Sequence, residues 1–379
     1  MIPIAKPVLE EAEAEAARQA VLSGWVTQGP QVAAFESEFG AYVGATHACA
    51  VSSCTTALHL ALLAVGVGAG DEVITASHSY IATANSIRYC GAIPVFVDIE
   101  PRTYNLDPRH VAEAVTPRTR AILAIHQMGM PCDLPALLDV ARRHSIALIE
   151  DAACAAGSEI RIDGQWQPIG RPLGAIDCFS FHPRKLITTG DGGMLTTSNA
   201  EFDNAFRLLR QHGMSVPDTV RHGSPQVIFE DYPVVGYNYR MTDIQAAIGR
   251  KQLGRLPELV SRRRVLAACY HELLGNIEGL LLPLEPEWAR SNWQSYCVRL
   301  PDRVDQKAVM QELLDQGIAT RRGIMCSHRE PCYTGEKPRH DLRQSELAQD
   351  HAILLPLYAQ MTEEDQVTVS NALRSALHA

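Results

Sequence analysis

The sequence predicts an α/β fold, with a large domain built on a mostly parallel sheet covered by helices and a smaller C-terminal α+β domain. Between residues 47 and 197, short apolar strands alternate with helical segments over short connections, a pattern typical of parallel sheets covered on both faces. The last third of the chain instead combines strand pairs with helices. At 379 residues the chain is also too long for one small core. We therefore predict a large domain over residues 1–250 and a small domain over residues 251–379.

The large domain is predicted to open with two helices, over residues 8–22 and 32–42, which precede the first strand. The predicted strands cover residues 47–51, 73–76, 94–97, 121–126, 146–149, 176–181 and 194–197. The predicted helices that alternate with these strands or follow them cover residues 57–63, 81–89, 108–115, 134–144 and 201–211. In such a fold, ligands bind at the carboxyl ends of the strands.

The final third of the chain is predicted to be less regular. Pro and Gly residues punctuate the polar segment 217–231, which we predict to be a loop. A long helix should begin near Thr242 and run to about Leu274, and its Arg262–Arg264 cluster is expected to form a solvated face. The small domain is predicted to contain strands 296–300 and 318–320 and helices 306–316 and 363–377, the last capped by Thr362.

The composition argues against several classes of function. The chain is 46% hydrophobic and 20% charged, as in soluble globular proteins. Its formal net charge of −9 offers no basic surface for nucleic acid or anionic membranes. The first residues lack the basic flank and apolar core of a secretory signal, and the longest apolar run, residues 57–70, is too short to span a membrane. We expect a cytoplasmic protein that binds neither nucleic acid nor membrane.

The ten cysteines are expected to be reduced thiols. They form no Cys-x-x-Cys pair and have no regular spacing, which is typical of a cytosolic enzyme rather than a disulfide framework. Cys326, His328 and Cys332 lie close together in the sequence, but their spacing matches no zinc-binding pattern. We therefore predict no metal site.

Three short stretches contain residue types with chemical potential. Ser52–Thr56 lies between a strand and a helix, where free N–H groups and hydroxyls bind phosphate, although plain N-capping is the alternative. Glu150 and Asp151 end a buried strand, where a carboxylate either faces the ligand crevice or merely caps the next turn. Lys185 follows a strand and precedes a Gly-rich turn. It is either a solvated surface charge or a Schiff-base lysine.

Pyridoxal phosphate (PLP) requires all three of these features. A lysine holds its aldehyde, an acid keeps its ring nitrogen protonated, and a cradle of donors binds its phosphate. In this sequence the hydroxyl-rich helix start, Asp151 and Lys185 occur in order, each beside a strand. The ordered set is much less expected by chance than any one of its members, so we predict a PLP enzyme.

Longer motifs support this prediction and extend over nearly the whole chain. The most specific are Ser-Phe-His-Pro-x-Lys at 180–185 and Gly-Tyr-Asn-Tyr-Arg-Met at 236–241. Supporting motifs lie at residues 24–30, 52–58, 80–85, 150–153, 189–193 and 355–357. In these motifs the chain resembles the DegT/DnrJ/StrS family of sugar aminotransferases, which are PLP-dependent transferases of fold type I.

The resemblance implies roles for the residues around the cofactor ring. Lys185 would form the internal aldimine and then move the proton between the substrate carbon and the cofactor carbon. Asp151 would pair with the pyridine nitrogen, and Tyr80 would stack on the ring. Cys154 occupies a position where Gln or His often hydrogen-bonds the phenolic oxygen of the cofactor. A thiol is a weak hydrogen-bonding partner, so this contact departs from the family pattern.

The resemblance also implies a phosphate site that is shared between two subunits. Ser180, Thr55 and the amide of Cys54 would hold the phosphate, and Asn238 would reach the phosphate of the partner subunit's cofactor. An obligatory homodimer follows. Gly is frequent in the family at position 54, so Cys54 would be strained if its backbone needed a positive φ.

The implied reaction is a ping-pong transamination with pyridoxamine phosphate as the intermediate form of the cofactor. We expect L-glutamate as the amino donor and a nucleotide-linked keto-deoxysugar as the acceptor, with Lys185 as general acid and base. The acceptor pocket would include His328, Arg329 and Tyr333 from one loop, and Trp25. The alternative is that these four are ordinary loop residues.

Other functions stay open at this point. Some relatives are sugar dehydratases that carry His in place of the lysine, and Lys185 argues against that chemistry. Another fold-type-I enzyme, such as a desulfurase with Cys326 as sulfur carrier or an aldolase, is a second alternative. A regulatory relative without catalysis would be expected to lack Lys185. A cyclitol or other ketone is an alternative acceptor.

Overall fold

Thirteen strands occur in the residues that the computed structural model describes, 1–335 and 338–378. They are β1 (His47–Val51), β2 (Glu72–Ala76), β3 (Ile93–Val97), β4 (Thr119–Ile125), β5 (Ala147–Asp151), β6 (Glu159–Ile162), β7 (Gln165–Pro168), β8 (Ile176–Ser180), β9 (Gly193–Thr197), β10 (Ala289–Arg290), β11 (Tyr296–Arg299), β12 (Arg321–Arg322) and β13 (Ala352–Leu355). The seven strands predicted for the large domain are all present, with their ends shifted by at most two residues.

Twelve α-helices lie between and after these strands in the described part of the chain. They are α1 (Glu11–Leu22), α2 (Pro30–Val43), α3 (Cys54–Ala64), α4 (Ala82–Tyr89), α5 (Pro108–Ala114), α6 (Leu134–His144), α7 (Ala200–Leu209), α8 (Asp218–Gly223), α9 (Asp243–Leu274), α10 (Gln306–Asp315), α11 (Arg343–His351) and α12 (Glu363–His378). Within the described residues, no helix combines the length and apolar character needed to cross a bilayer.

The central sheet has seven strands in the order β1-β9-β8-β5-β4-β2-β3. Only β9 runs antiparallel to its neighbours; the pairs from β8 to β3 are parallel. A parallel neighbour needs a long crossover connection, usually a helix. The loop from β8 to β9 is short and contains no helix, so the chain returns antiparallel. The predicted mostly parallel α/β sheet is confirmed.

Helices cover both faces of this sheet because its strands bury alternate residues on opposite sides. Ile122 of β4 joins the core that contains Phe35 and Phe39 of α2, together with residues of α5, α6 and α9. The next residue, Leu123, joins the core formed by α3, α4 and α7 on the other face. This arrangement leaves the carboxyl ends of the parallel strands as the edge where a ligand can bind.

A second, smaller sheet has the order β11-β13-β12 and is fully antiparallel. Helices α10 and α12 pack with it around a separate core that includes Tyr270, Tyr296 and Leu373. The predicted division at residues 250 and 251 falls inside α9, which is one continuous helix. The division into two domains stays a prediction.

Several local predictions were wrong. The polar hairpin β6–β7, which pairs with β10, was missed, although its turn residues Asp163 and Gly164 both have the positive φ of a hairpin turn. Part of the predicted loop 217–231 is the short helix α8, and α11 and β13 were also missed. The strand expected at 318–320 instead lies at Arg321–Arg322, where β13 supplies the pairing partner.

The three consecutive arginines of α9 do not form the solvated face that we expected. Arg263 is buried and its Nη1 donates to the carbonyls of Trp293 and Gln294, at 2.9 and 3.1 Å. Arg262 and Arg264 also donate to backbone carbonyls. Guanidinium groups carry several donors in a fixed fork, so they can fasten irregular backbone that has no ladder partners. One segment fastened in this way, residues 292–294, lies against the site.

Candidate active site

Asp151 lies at the carboxyl end of β5, in the middle of the central sheet, as predicted for the acid of a ligand crevice. Its Oδ2 accepts a hydrogen bond from the Thr83 hydroxyl at 3.0 Å, and its Oδ1 accepts from the Ala153 amide at 3.1 Å. Burial raises the pKa of Asp151, while these hydrogen bonds and the charge of Lys185 oppose the rise. The two donors fix the direction of the carboxylate and favour its charged form.

Lys185 lies in the loop after β8, and its Nζ donates a hydrogen bond to the Cys154 sulfur at 3.0 Å. Burial alone would lower the pKa of the Lys185 ammonium. The sulfur atoms of Cys154 and Cys54 and the carboxylate of Asp151 outweigh burial and raise it. The structure therefore brings the predicted lysine and the predicted acid into one electrostatic environment, although they lie 34 residues apart in the sequence.

Helix α3 begins beside these two residues. Ser53 caps it, since its hydroxyl accepts from the Thr56 amide at 3.2 Å while the Thr56 hydroxyl accepts from the Ser53 amide. Capping by Ser and Thr is therefore real, but it uses only these two residues. No described residue accepts from the amides of Cys54 or Thr55, so these N–H groups remain available for an anion.

The start of β9 lies directly against this helix terminus. A Cβ on Gly193 would lie 2.4 Å from the carbonyl oxygen of Ser53, so only glycine allows the observed approach. Cys54 is the first residue of α3 and does not have a positive φ, so the strain considered for a non-glycine residue at this position does not arise. Its thiol is buried and contacts the Asp151 carboxylate at 4.0 Å. Ser180, at the end of β8, is almost fully buried.

The 292–294 segment holds the two loops that carry Cys154 and Lys185. Asn292 Nδ2 donates to the carbonyl of Cys154 at 2.8 Å, and Gln294 Nε2 donates to the carbonyl of Arg184, also at 2.8 Å. Trp293, between them, is buried and has a φ of 51°. A bulky residue in this region is strained and persists only where its surroundings fix it. The contact between the thiol and the amine is therefore held from both backbones.

These residues fit PLP. The chain offers an amine at Lys185, a buried carboxylate at Asp151, unpartnered amides at the start of α3 and a glycine that keeps this terminus against the sheet. Tyr80 is 70% exposed, so its ring is available for stacking. Each requirement of the cofactor thus has a candidate residue in the same region of the molecule.

Comparisons with known proteins agree with this chemistry. The family model described as the DegT/DnrJ/EryC1/StrS aminotransferase family matches residues 7–374. The GDP-perosamine synthase of Caulobacter vibrioides is 39% identical over 383 residues, which cover 99% of this chain and 98% of that protein.

The chain belongs to the DegT/DnrJ/EryC1/StrS aminotransferase family.

Solved structures of aminotransferases share the whole fold. The aminotransferase TlmJ from Streptoalloteichus hindustanus superposes with a TM-score of 0.91 at 35% identity, covering 100% of this chain and 99% of that one. Spr1654 from Streptococcus pneumoniae, solved in its PMP form, gives a TM-score of 0.92 at 26% identity, with coverage of 100% and 99%. The chain is therefore an aminotransferase with the fold of these PLP-dependent enzymes, as the motifs predicted.

Within this family frame, the other predicted cofactor residue, Asn238, lies apart from the buried group. It is exposed and forms a bridge with Gln211. The neighbouring rings of Tyr237 and Tyr239 stack on each other, with centroids 4.9 Å apart. Asn238 therefore points to no contact with the lysine and acid of its own chain, and its role stays a prediction.

The residues predicted for the acceptor are tied to the rest of the chain. His328 Nδ1 lies 2.6 Å from the Ser77 hydroxyl, and its Nε2 lies 3.1 Å from Glu346. The Tyr333 hydroxyl donates to Asn85 at 2.8 Å. The loop from residue 325 to 328 pairs with the chain just after β2, three residues before Tyr80, which brings His328 towards the site.

Trp25 and Arg329 are the other two candidates for the acceptor pocket. Trp25 Nε1 donates to the carbonyl of Gln28 at 2.9 Å, and Arg329 forms an ion pair with Asp350 at 2.7 Å. These internal contacts would orient both side chains. Whether either touches a substrate stays a prediction.

Cys326, considered above as a sulfur carrier, does not have the properties of a nucleophile. Its side chain is fully buried, and its Sγ donates to the carbonyl of Ser345 at 3.1 Å. Burial raises the pKa of this thiol to about 12. A sulfur carrier needs an exposed thiol that ionises readily, so the structure argues against a desulfurase.

A buried group of His126, Glu150 and Asp177 was missed by sequence reasoning. Its potential ligand atoms all lie within 4.8 Å of one another. His126 Nδ1 accepts from the Cys132 amide, so Nε2 carries the proton and donates to Glu150 at 3.1 Å. A ring nitrogen that donates in this way is not a metal ligand.

The two carboxyls of this group titrate together. Burial raises the pKa of Glu150 to about 7, and burial together with the charge of Glu150 raises the pKa of Asp177 well above its ordinary value. Two buried carboxyls this close cannot both be charged at low cost, so the pair retains a proton near neutral pH. Glu150 and Asp151 thus have different states, and only Asp151 lies beside Lys185.

Proposed function

We propose that the protein transfers an amino group from L-glutamate to the keto group of a nucleotide-linked deoxysugar, with PLP as cofactor. The observation that carries the proposal is the convergence of Lys185, Asp151 and the free amides of α3 at the carboxyl ends of the central strands. The similarity to a GDP-perosamine synthase supports a sugar nucleotide as acceptor.

Lys185 and Asp151 would hold the reactive end and the ring of the cofactor, and Ser180, Thr55 and the amide of Cys54 would hold its phosphate. When bound, PLP supplies an electron sink that stabilises the negative charge formed on the carbon that loses or gains the amino group. Asp151 would keep the ring nitrogen protonated, because its carboxylate is fixed by Thr83 and Ala153.

Lys185 would act as the general acid and base of both half-reactions at its Nζ atom. The Cys154 sulfur accepts its hydrogen bond at 3.0 Å and so holds the amine in one position when it is free. Cys154 would also take the position beside the phenolic oxygen of the cofactor, where its weak hydrogen-bonding ability leaves this contact looser than an amide or an imidazole would.

We infer that the enzyme works as a homodimer with shared active sites. An exposed apolar stretch, defined here as the rim segment (residues 227–235), contains Val227, Phe229 and Val235 at 84%, 88% and 88% exposure. So many large apolar side chains on one exposed segment favour burial against another protein surface. Asn238 follows this segment and is also exposed, so a partner subunit that covers the rim segment would bring Asn238 towards the partner's phosphate site.

The acceptor would bind beside the loop that carries His328 and Tyr333, with Trp25 and Arg329 at its edge. His328 is placed by Ser77 and Glu346, and Tyr333 by Asn85, so their side chains are oriented before a substrate arrives. Pre-oriented polar groups of this kind discriminate between hydroxyl configurations of a sugar. All ten cysteines are unpaired, which supports a cytoplasmic location.

The experiment that tests this function is an acceptor assay. The PLP-supplied protein is incubated with L-glutamate and either a GDP-linked or a TDP-linked 4-keto-6-deoxysugar, and the formation of 2-oxoglutarate and aminosugar is followed. We expect equal amounts of both products with at least one sugar nucleotide. Turnover only with a cyclitol ketone would replace the proposed acceptor, and no turnover with any ketone would overturn the function.

A further inference from the structure

We propose that Cys154 and Lys185 form a redox switch, in which a peroxide joins the sulfur of Cys154 to the amine of Lys185 by a reversible S–N bond. The link would remove the lysine from catalysis, so its effect on activity rests on the proposed function. Its formation does not, because it depends only on two side chains that already touch.

The contact has the geometry that such a bond requires. Lys185 Nζ lies 3.0 Å from the Cys154 sulfur, which is hydrogen-bonding distance, with no atom between them. Cys154 is only half-buried, so a molecule as small as hydrogen peroxide can reach it. An ammonium group beside a thiol favours the thiolate, which is the form that peroxides oxidise.

The 292–294 segment prevents the two groups from separating easily. Asn292 holds the backbone of Cys154, and Gln294 holds the backbone of Arg184, next to Lys185. Trp293 between them is in turn fixed by the buried Arg263, which donates to its carbonyl at 2.9 Å. Because both loops are held by one segment, the thiol and the amine have a high effective concentration for each other.

The neighbouring thiol competes poorly for the same oxidant. Cys54 also lies close to Lys185 and Asp151, but its side chain is buried. Burial and the charge of Asp151 raise the pKa of Cys54 well above its ordinary value, so it remains a protonated thiol. Cys154 is therefore the sulfur of the site that we expect to react.

The chemistry balances with a peroxide as the oxidant. The Cys154 thiolate attacks one peroxide oxygen, the O–O bond breaks, and the Lys185 ammonium protonates the departing hydroxide, which leaves a sulfenic acid and a neutral amine. The amine then attacks the sulfur, the S–O bond breaks, and the released hydroxide takes a proton from the nitrogen. Sulfur loses two electrons, the peroxide gains two, and two water molecules are formed. A thiol reductant reverses the link through a mixed disulfide.

The test treats the full-length protein with dilute hydrogen peroxide and maps its peptides by tandem mass spectrometry without reduction. We expect the peptides that contain Cys154 and Lys185 to be joined, with a combined mass lower by two hydrogen atoms, and to separate after dithiothreitol. Cys154→Ser should abolish the link. Cys54→Ser and, as a control for an exposed thiol, Cys332→Ser should keep it.

A disulfide between Cys54 and Cys154, which has the same mass change, would overturn the proposal, as would a Cys154 found only as sulfinic acid or a joint that carries an extra oxygen atom. Prior addition of PLP should slow the linking, because the proposed function engages the same amine. A link that forms at an equal rate with and without PLP would support the switch and contradict the role of Lys185 in the proposed function.

Discussion

Two regions of the site differ in how completely one chain builds them. The inner wall, formed by Asp151, Cys154 and Lys185, is held by hydrogen bonds from Thr83 and the 292–294 segment. The outer rim, formed by Tyr80, Asn238 and the rim segment (residues 227–235), is exposed and carries large apolar side chains.

The difference indicates how the chemistry and the assembly are divided. The inner wall lies at the ends of buried parallel strands, where packing fixes side chains before any ligand binds. The rim follows α7, beyond the central sheet, and has no such support. A single chain therefore prepares the acid and the base, while closing the site over a cofactor requires a second surface.

The largest effect is expected from removal of the amine in the inner wall. Lys185→Ala should reduce transamination by a factor of ~10²–10⁴ or more, because the general acid and base is lost. Lys251→Ala, which removes an exposed lysine of α9, is the matched control and should keep full activity. The rate of 2-oxoglutarate formation measures both. Full turnover by Lys185→Ala with glutamate would show that the wall has been assigned wrongly.

The next effect concerns the rim. Phe229→Asp combined with Val235→Asp should convert a dimer into a monomer and remove most activity, since two charges would be placed in the interface. Light scattering after size exclusion gives the mass of the particle. Leu314→Asp changes an exposed apolar residue of α10 and should leave the dimer intact.

Mixed subunits sharpen this prediction. A dimer of one Lys185→Ala chain and one Asn238→Ala chain should regain part of the activity, because one of its two sites keeps both residues. Equal inactivity of the confirmed mixed dimer and its parents would mean that Asn238 does not cross the interface.

A third prediction concerns the proton held by Glu150 and Asp177 behind the wall. The pKa of Glu150 rises from its ordinary 4.5 to about 7, so the folded chain binds this proton more tightly than the unfolded chain. The resulting stability is present in full below pH 4.5 and is lost as the pH rises through 7. At ~1.4 kcal/mol per pKa unit, the loss is roughly 3 kcal/mol.

Urea unfolding of the wild type and of the Glu150→Gln/Asp177→Asn double variant at pH 4.5 and pH 8 measures this contribution. The wild type should lose stability relative to the variant as the pH rises. Burial lowers the pKa of His126 to about 4, which gives an opposite dependence, but His126 is present in both proteins. Parallel stabilities at the two pH values would show that the carboxyl pair holds no proton.

The smallest effect is expected at Thr83, which supports the acid. Thr83→Val keeps the shape of the side chain but removes the hydrogen bond to Asp151, worth ~1 kcal/mol. The pKa of Asp151 should then rise further above its ordinary value. Activity, which needs the charged carboxylate, should fall off at a higher pH on the acid side of its profile. Ser86→Ala, which removes a hydroxyl bonded only to the Thr83 carbonyl, should leave the profile unchanged.

Local sequence patterns were sufficient for most of the fold and for the inner wall. Apolar strands such as Ile146–Ile149 and the polar residues that follow them appear in the sequence as contiguous signals, so Asp151 and Lys185 could be identified without a structure. The β6–β7 hairpin was missed although Asp163-Gly164 is a turn signal, because the flanking strands are polar and lack the expected alternation.

Contacts between distant strands could not be predicted in this way. Glu150 and Asp177 are direct register partners of β5 and β8, but nothing in the sequence specifies that these strands are neighbours. The 292–294 segment likewise reaches the site only through the tertiary fold, held by an arginine that looks like a surface residue in the sequence. Strand order and buried polar contacts therefore had to come from the structure.

The most direct test of the central claim is the visible absorption spectrum of the purified protein, with PLP supplied, before and after addition of L-glutamate. The account predicts a yellow band that shifts to shorter wavelength with glutamate in the wild type and is missing from Lys185→Ala. A band that glutamate does not change would contradict the assigned donor. No band in the wild type would contradict the role of Lys185 and Asp151 as a cofactor site.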